Sequence, residues 1–112
     1  MRPSQGDIVL VPVPFTDLTS QRRRPVVVVS NDAYHAATQD FVCVAMTSNL
    51  RDEPYSFEIT TTDLADGALN RPSRVRADKL FTLAQAIIVA RFGRVNAATL
   101  DRIRQLVSDL MR

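Results

Sequence analysis

The sequence is poor in the residues from which many active sites are built. It contains one cysteine, one histidine, three glycines and no tryptophan. One cysteine excludes an internal disulfide and a cysteine-rich zinc site, and one histidine excludes a histidine-based metal site or a pair of acid–base histidines within one chain. The glycines, at positions 6, 67 and 93, are too far apart for a phosphate-binding loop, and no nucleophile elbow is present. Any chemistry must therefore use other side chains.

Long apolar runs are also lacking. None approaches the length of a membrane span, and no hydrophobic region precedes the first strand-like segment, so we expect no membrane association and no secretory signal. Cys43 lies in the apolar stretch DFVCVAMTS, which is typical of a buried side chain, with a reactive thiol as the alternative. His35 lies in the polar connection NDAYHAATQD, and we expect it to be exposed. A reducing cytoplasm fits this composition best.

Lysine is almost absent from a basic chain. Lys79 is the only lysine among 14 Lys and Arg residues, and the formal net charge is +2. Between residues 71 and 94 a single acid, Asp78, accompanies these basic residues: Arg71, Arg74, Arg76, Lys79, Arg91 and Arg94. Arginine has paired planar donors that suit phosphate, and a one-sided basic field attracts polyanions. The placement of the basic residues therefore favours a polyanionic partner.

The hydrophobic pattern predicts a mainly β fold in a single domain over residues 1–112. Strands are predicted at six places: residues 7–13, 26–30, 41–47 and 55–61, and the segments RVRADKLFTL and AIIVARFGRV. The segment DLADGALNRPS is interpreted as a loop with room for one helical turn. Short, closely spaced strands indicate a small barrel or a strongly curved sheet.

The C-terminal segment predicts a helix. Asn96 is a good N-cap, and apolar residues follow it at helical spacing: Leu100, Ile103, Leu106, Val107, Leu110 and Met111. We expect this apolar stripe to pack on the barrel, and a partner-binding surface is the alternative.

Arg22, Arg23 and Arg24 stand in a row before an apolar strand, which folding alone does not require. Pro25 biases Arg24 toward an extended backbone, so the Arg24 side chain is aimed reproducibly. For Arg22 and Arg23, a solvated charged loop is the simpler interpretation.

Two further polar sets lie at strand positions. Thr47, Ser48 and Asn49 end a buried strand, where ordinary strand termination is the alternative interpretation. Arg74, Arg76 and Asp78 alternate along a predicted strand, so their side chains share one face. A salt bridge on the sheet surface is the alternative for this second set.

Five motifs occur in a characteristic order: GDIVLV at 6–11, PFTDL at 14–18, RRPVVVVSND at 23–32, VAMTSNL at 44–50 and PSRVRADKLFTL at 72–83. FGRV then precedes the predicted helix. Together they resemble the MazF/PemK-type endoribonuclease toxins of type II toxin–antitoxin systems, over nearly the whole chain.

The resemblance implies an SH3-like barrel of the PemK/CcdB type, a homodimer and a cognate antitoxin, in the bacterial cytoplasm. It also implies cleavage of single-stranded RNA without a metal ion or other cofactor, often at a preferred sequence. In that reaction the 2′-hydroxyl attacks its own phosphate, which leaves a 2′,3′-cyclic phosphate and a 5′-hydroxyl. Cleavage of mRNA would inhibit translation and growth.

The resemblance also implies roles for single residues. The family's catalytic arginine and threonine fall on Arg24 and Thr47, and an Arg-x-Asp pair of some members falls on Arg76 and Asp78. We assign RNA binding to Arg22, Arg23, Ser48, Asn49, Arg74 and Lys79. Either Asp78 or water takes the proton, although Arg76 should lower the pKa of Asp78 and weaken it as a base.

The first loop departs from the family. It reads TDLTSQR and is shorter than the glycine-containing loop of many relatives. The RNA contacts and the acidic residue of that longer loop are therefore not assigned to this chain. Two alternatives remain: a gyrase poison on the same fold, which needs no Arg-Pro/Thr pair, and a non-catalytic barrel that binds nucleic acid. The presence of Arg24-Pro25 and Thr47 favours the ribonuclease over the gyrase poison. The basic residues between positions 71 and 94 would serve the non-catalytic barrel equally well.

Overall fold

The computed structural model describes residues 1–12 and 23–112, so the predictions for Arg22 and the PFTDL motif lie outside the described residues. The strands there are β1 (Asp7–Val11), β2 (Arg24–Val28), β3 (Asp40–Thr47), β4 (Ser56–Ile59), β5 (Leu64–Gly67), β6 (Ser73–Ala84) and β7 (Ala90–Val95). The helices are α1 (Asp32–Ala37) and α2 (Ala97–Leu110), with short 3₁₀ turns at Thr61–Asp63 and Gln85–Ile87.

The strands form one curled antiparallel sheet, a half-barrel, in the order β4-β6-β3-β2-β1-β7-β5. The predicted mainly β fold with a C-terminal helix is confirmed. β2 lies at the centre of the sheet and its valines are buried on both faces, as a run of β-branched residues predicts. One face buries Ile8, Val27 and Ile103 in a cluster that includes the helix, and the other buries Val9, Val26 and Phe41.

The C-terminal helix forms as predicted. The Asn96 side chain accepts a hydrogen bond from the Thr99 N–H at 2.9 Å and so caps α2. Ile103 is fully buried in the first core cluster, and Leu100, Leu106 and Val107 pack against it. The apolar stripe therefore packs on the sheet.

The interpretation of DLADGALNRPS as a loop was wrong, because it contains β5. Asp66 and Gly67 are poor strand formers, so local propensity hides this strand. Gly67 has φ +84° and lies so close to β7 that a Cβ atom there would be 2.4 Å from the Phe92 carbonyl oxygen. Only glycine permits that approach, and the pairing becomes visible only when β7 is in place.

The prediction that His35 is exposed was also wrong. His35 is 1% exposed, and its Nε2 lies 2.6 Å from the Ser30 hydroxyl oxygen. The Asn31 side chain caps α1 by accepting from the Tyr34 N–H at 2.8 Å. This short helix directs the ring inward, although the segment that contains it is polar.

Cys43 is buried in the second core cluster, as predicted. Burial raises the pKa of its thiol to about 12, and the thiolate is the reactive form of cysteine. We expect iodoacetamide at pH 8 to label the native protein about 10³-fold more slowly than protein unfolded in guanidinium chloride, where the thiol has its ordinary pKa. Labelling followed by mass spectrometry measures both rates. Equal rates would contradict a buried thiol.

The ladder between β3 and β6, one strand in from the edge strand β4, is irregular. Consecutive residues of β3, Val44 and Ala45, pair with Leu80 and Arg76 of β6, so residues 77–79 are an insertion without partners on β3. Insertions of this kind bend a strand and re-aim its side chains, and they are common next to active sites.

Candidate active site

Arg24, Thr47 and Arg76 come together because β3 lies between β2 and β6. Val26 of β2 pairs with Ala45 of β3, where the pairing of these strands ends; Arg24 lies two residues before Val26, and Thr47 lies two residues after Ala45. Ala45 also pairs with Arg76 on the other side. Side chains two residues apart on a strand share a face, so Arg24, Thr47 and Arg76 all project from the same face of the sheet.

The three residues line a cleft of about 170 Å³. Its described lining consists of Arg24, Ala45, Met46, Thr47, Asn49, Arg51, Glu53, Arg76 and Lys79. The cations outnumber the one carboxylate in this lining, so the cleft favours an anion of the size of a phosphate group. We call it the Arg24 cleft.

Asp78 holds Arg76 by two parallel hydrogen bonds. Arg76 Nε donates to Asp78 Oδ1 at 2.9 Å, and Arg76 Nη2 donates to Asp78 Oδ2 at 2.8 Å. These bonds hold the pKa of the Asp78 carboxyl below its ordinary value, against the opposing effect of burial, as the sequence predicted. They also raise the pKa of Arg76. Both carboxylate oxygens are therefore engaged, and Asp78 is not among the described residues that line the Arg24 cleft.

A second cleft, of about 420 Å³, adjoins the first, because Arg24, Met46 and Thr47 line both. Its other described lining residues are Leu10, Arg23, Pro25, Ser48, Ala68, Leu69, Asn70, Arg71, Ser73 and Phe92. The lining combines arginines with apolar side chains. The structure thus divides the predicted RNA-binding residues: Asn49 and Lys79 line the Arg24 cleft, and Arg23 and Ser48 line the second.

Arg74 is not among the described residues that line either cleft. Its Nη2 donates to Asp52 Oδ1 at 2.6 Å and its Nε donates to the Ser56 hydroxyl oxygen at 2.8 Å, and its side chain is only 11% exposed. The predicted shared face with Arg76 is correct, but Arg74 contacts the segment before β4.

Comparison with known proteins decides the family. A family model for the PemK-like, MazF-like toxins of type II toxin–antitoxin systems matches residues 4–111. The chain belongs to this family. The resemblance seen in the sequence motifs is thereby confirmed, and no curated protein matches the chain significantly.

Solved structures of other toxins share the fold. A mycobacterial endoribonuclease in complex with its cognate antitoxin is 25% identical, with a TM-score of 0.77, and the match covers 97% of this chain and 94% of that one. A second mycobacterial endoribonuclease is also 25% identical, with a TM-score of 0.75 and coverage of 99% and 92%. MazF in a MazE–MazF complex from Deinococcus radiodurans is 24% identical, with a TM-score of 0.73 and coverage of 99% and 96%, which shows the fold alone.

In this toxin the segment after β3 orients Thr47. The Asn49 N–H donates to Thr47 Oγ1 at 3.1 Å, and the Arg51 N–H donates to Asn49 Oδ1 at 3.0 Å. A hydroxyl that accepts one hydrogen bond still has its own hydrogen to donate. Thr47 lines the cleft, and its hydroxyl, held by the Asn49 N–H, keeps its own hydrogen for a further bond.

Sequence reasoning missed Arg51 and Glu53, which lie in this segment and line the Arg24 cleft. The only signal was the charged run RDE directly after VAMTSNL. Within residues 1–12 and 23–112, no three His, Cys, Asp or Glu side chains are grouped so that they could hold a metal ion. No helix in the same ranges has the length and apolar character needed to cross a bilayer.

Proposed function

We propose that this toxin is an endoribonuclease that cleaves single-stranded RNA without a metal ion. The observation that carries the proposal is the Arg24 cleft, where two arginines and the Thr47 hydroxyl converge from three neighbouring strands. Two mycobacterial proteins of the same fold and 25% identity are endoribonucleases, which supports the assignment.

In the proposed reaction, the 2′-hydroxyl attacks the adjacent phosphate, and the products are a 2′,3′-cyclic phosphate and a 5′-hydroxyl. Negative charge grows on the phosphate oxygens in the transition state. Arg24 and Arg76 stabilise this charge, because donors that are already positioned do not have to reorganise as the charge develops. Thr47 donates a hydrogen bond to the same phosphate. Asp78 acts by holding the guanidinium of Arg76.

RNA binding extends beyond the scissile phosphate in this proposal. Lys79 and Asn49 bind the part of the RNA that lies within the Arg24 cleft. Arg23 and Ser48 bind the adjoining nucleotide in the second cleft. Arg22 and Arg74 remain assigned to RNA binding from the sequence, with Arg74 acting through the segment it holds. Phosphate contacts by cations make the affinity fall with salt.

We also propose a homodimer in the bacterial cytoplasm, inhibited by a cognate antitoxin. A mycobacterial structure of the same fold contains an endoribonuclease bound to its cognate antitoxin, which supports this proposal. Cleavage of mRNA by the free toxin would inhibit translation and growth.

The test uses purified toxin and a long single-stranded RNA in excess EDTA. We expect site-preferring cleavage and products that end in a 2′,3′-cyclic phosphate and a 5′-hydroxyl, detected by mass spectrometry. An oligonucleotide with 2′-deoxyribose at the mapped site should bind but remain intact, because it lacks the attacking hydroxyl.

Three results would separate the alternatives. Cleavage that depends on added divalent metal would contradict the proposed mechanism. RNA binding without cleavage would leave the non-catalytic barrel. Neither binding nor cleavage, together with inhibition of DNA gyrase, would leave the gyrase poison.

A further inference from the structure

Glu53 is the only carboxylate among the described residues that line the Arg24 cleft. Its side chain is 31% exposed. Around it in the lining stand Arg24, Arg51, Arg76 and Lys79, which are all cationic. A lone carboxylate in a cleft suited to phosphate weakens anion binding, so its presence requires another explanation.

The backbone that carries Glu53 is tied to β6. The Ser56 hydroxyl donates to the Glu53 carbonyl at 2.5 Å and accepts from Arg74 Nε at 2.8 Å. Arg74 Nη2 also donates to Asp52 Oδ1. The Ala77 N–H, in the insertion of β6, donates to the carbonyl of Tyr55 at 2.9 Å.

These bonds give Arg74 its function. Arg74 contacts the chain on both sides of Glu53, at the exposed Asp52 and at Ser56, so the backbone that carries Glu53 lies against β6. Tyr55 adopts φ 58°, a conformation that non-glycine residues adopt rarely and only where their surroundings impose it. Glu53 is therefore carried by a turn whose backbone is hydrogen-bonded to Ser56 and to β6.

The Glu53 carboxylate has a weaker partner than Asp78 has. Its ion pair with Arg51 is 3.4 Å long, and the Arg51 side chain is 78% exposed. Exposed pairs of this kind contribute little and are easily broken. Asp78, in contrast, accepts two short bonds from Arg76. Of the two carboxylates, Glu53 is the one that lines the cleft and has the weaker partner.

We propose that Glu53 is the general base of the ribonuclease reaction, which rests on the function proposed above. Glu53 takes the proton of the 2′-hydroxyl as the 2′-oxygen forms a bond to phosphorus. The bond from phosphorus to the 5′-oxygen breaks, and the leaving oxygen takes a proton from water. The hydroxide so formed is neutralised by the proton that Glu53 then releases, so atoms and charge balance over the cycle.

The charged groups that face Glu53 come from three elements. They are Arg51 on its own segment, Arg76 and Lys79 on β6, and Arg24 on β2. A general base acts only in its unprotonated form, so we expect cleavage to fall on the acidic side of its pH profile.

The experiment compares wild type with Glu53→Gln on an oligonucleotide that has one ribose, at the mapped site. Loss of a general base typically costs about 10²- to 10⁴-fold, and we expect kcat/KM to fall in that range. The acidic limb of the pH profile should disappear. Binding of the fully 2′-deoxy oligonucleotide should be retained or become tighter, because a negative charge has been removed. Glu53→Asp should recover part of the activity together with the acidic limb.

A substrate with sulfur in place of the 5′-oxygen distinguishes base from acid. Its thiolate leaves without a proton, so a defect in a general base persists and a defect in a general acid disappears. The matched control is Glu58→Gln, an equal change of charge at an exposed residue of β4 outside the cleft lining, which should alter kcat/KM by less than about twofold.

Each outcome decides the proposal. A Glu53→Gln variant with wild-type kcat/KM and pH profile overturns it, and so does a defect that disappears with the sulfur substrate. A variant whose loss tracks a lowered melting temperature, and whose pH profile is unchanged, shows a structural role and also overturns it. Failure of the wild type to cleave any RNA would instead overturn the proposed function itself, and the base assignment with it.

Discussion

Replacing Arg24 with methionine is expected to lower kcat/KM for RNA cleavage by about 10²- to 10³-fold, the usual cost of removing one preorganised donor from an oxyanion site. Methionine keeps much of the apolar length of the side chain, so the barrel rim should remain packed. The loss should appear mainly in kcat, because Arg24 acts most strongly on charge that develops in the transition state. Single-turnover cleavage of the mapped oligonucleotide measures it.

Two further variants sharpen the result for Arg24. Arg24→Lys should recover only part of the rate, because the ammonium keeps the charge but loses the paired donors. Arg23→Met is the matched control. Arg23 precedes Arg24 in the chain and is exposed, and of the two clefts it is among the described lining residues of the second alone. The Arg23→Met variant should lower the affinity for RNA and the dependence of that affinity on salt, and it should leave kcat nearly unchanged. An Arg24→Met variant with wild-type kcat would contradict the phosphate clamp.

The second large effect is expected at Arg76. Arg76→Met should lower kcat/KM by about 10²-fold, because it removes the other arginine aimed at the phosphate. Asp78→Asn should cost less, about 10-fold, since the amide still holds one side of the guanidinium. The double variant should behave like Arg76→Met alone, because residues that act as one unit are not additive.

This double-mutant cycle tests the role assigned to Asp78. If Asp78 were the general base, Asp78→Asn would cost as much as Arg76→Met, and its effect would persist in the Arg76→Met background. The pH dependence gives a second test. Hydrogen bonds from Arg76 lower the pKa of Asp78, so the stability that this pair contributes is present above the ordinary aspartate pKa of about 3.9 and is lost as the pH falls through the lower native value. Asp78 is therefore mostly ionised at every pH above the ordinary aspartate pKa of about 3.9.

Much of the fold follows from local patterning. The valines of β2 predict a central strand because β-branched residues that are buried on both faces need no alternation. Asn96 and the apolar residues after it predict α2, because capping and the helical repeat are local properties. The shared face of Arg74, Arg76 and Asp78 likewise follows from strand periodicity.

The errors have a common physical cause. β5 has weak local propensity and exists because Gly67 permits close approach to β7. His35 is buried because a six-residue helix turns it inward, although its neighbours are polar. In both cases a distant part of the chain completes the arrangement: β7 pairs with β5, and the Gln85 side chain donates to the His35 carbonyl at 3.0 Å. A short window of sequence does not show these contacts.

The sequence by itself determined the mainly β fold, the C-terminal helix, the family and the short set of polar residues from which a phosphate site is built. Each depends on residue type and spacing along the chain. The tertiary structure decided which of these residues meet. The β3–β6 insertion and the order of strands bring Arg24, Thr47 and Arg76 into one cleft, divert Arg74 to a supporting position and place Glu53 beside the cations. These contacts join residues far apart in the chain, so only the pairing of the strands sets them.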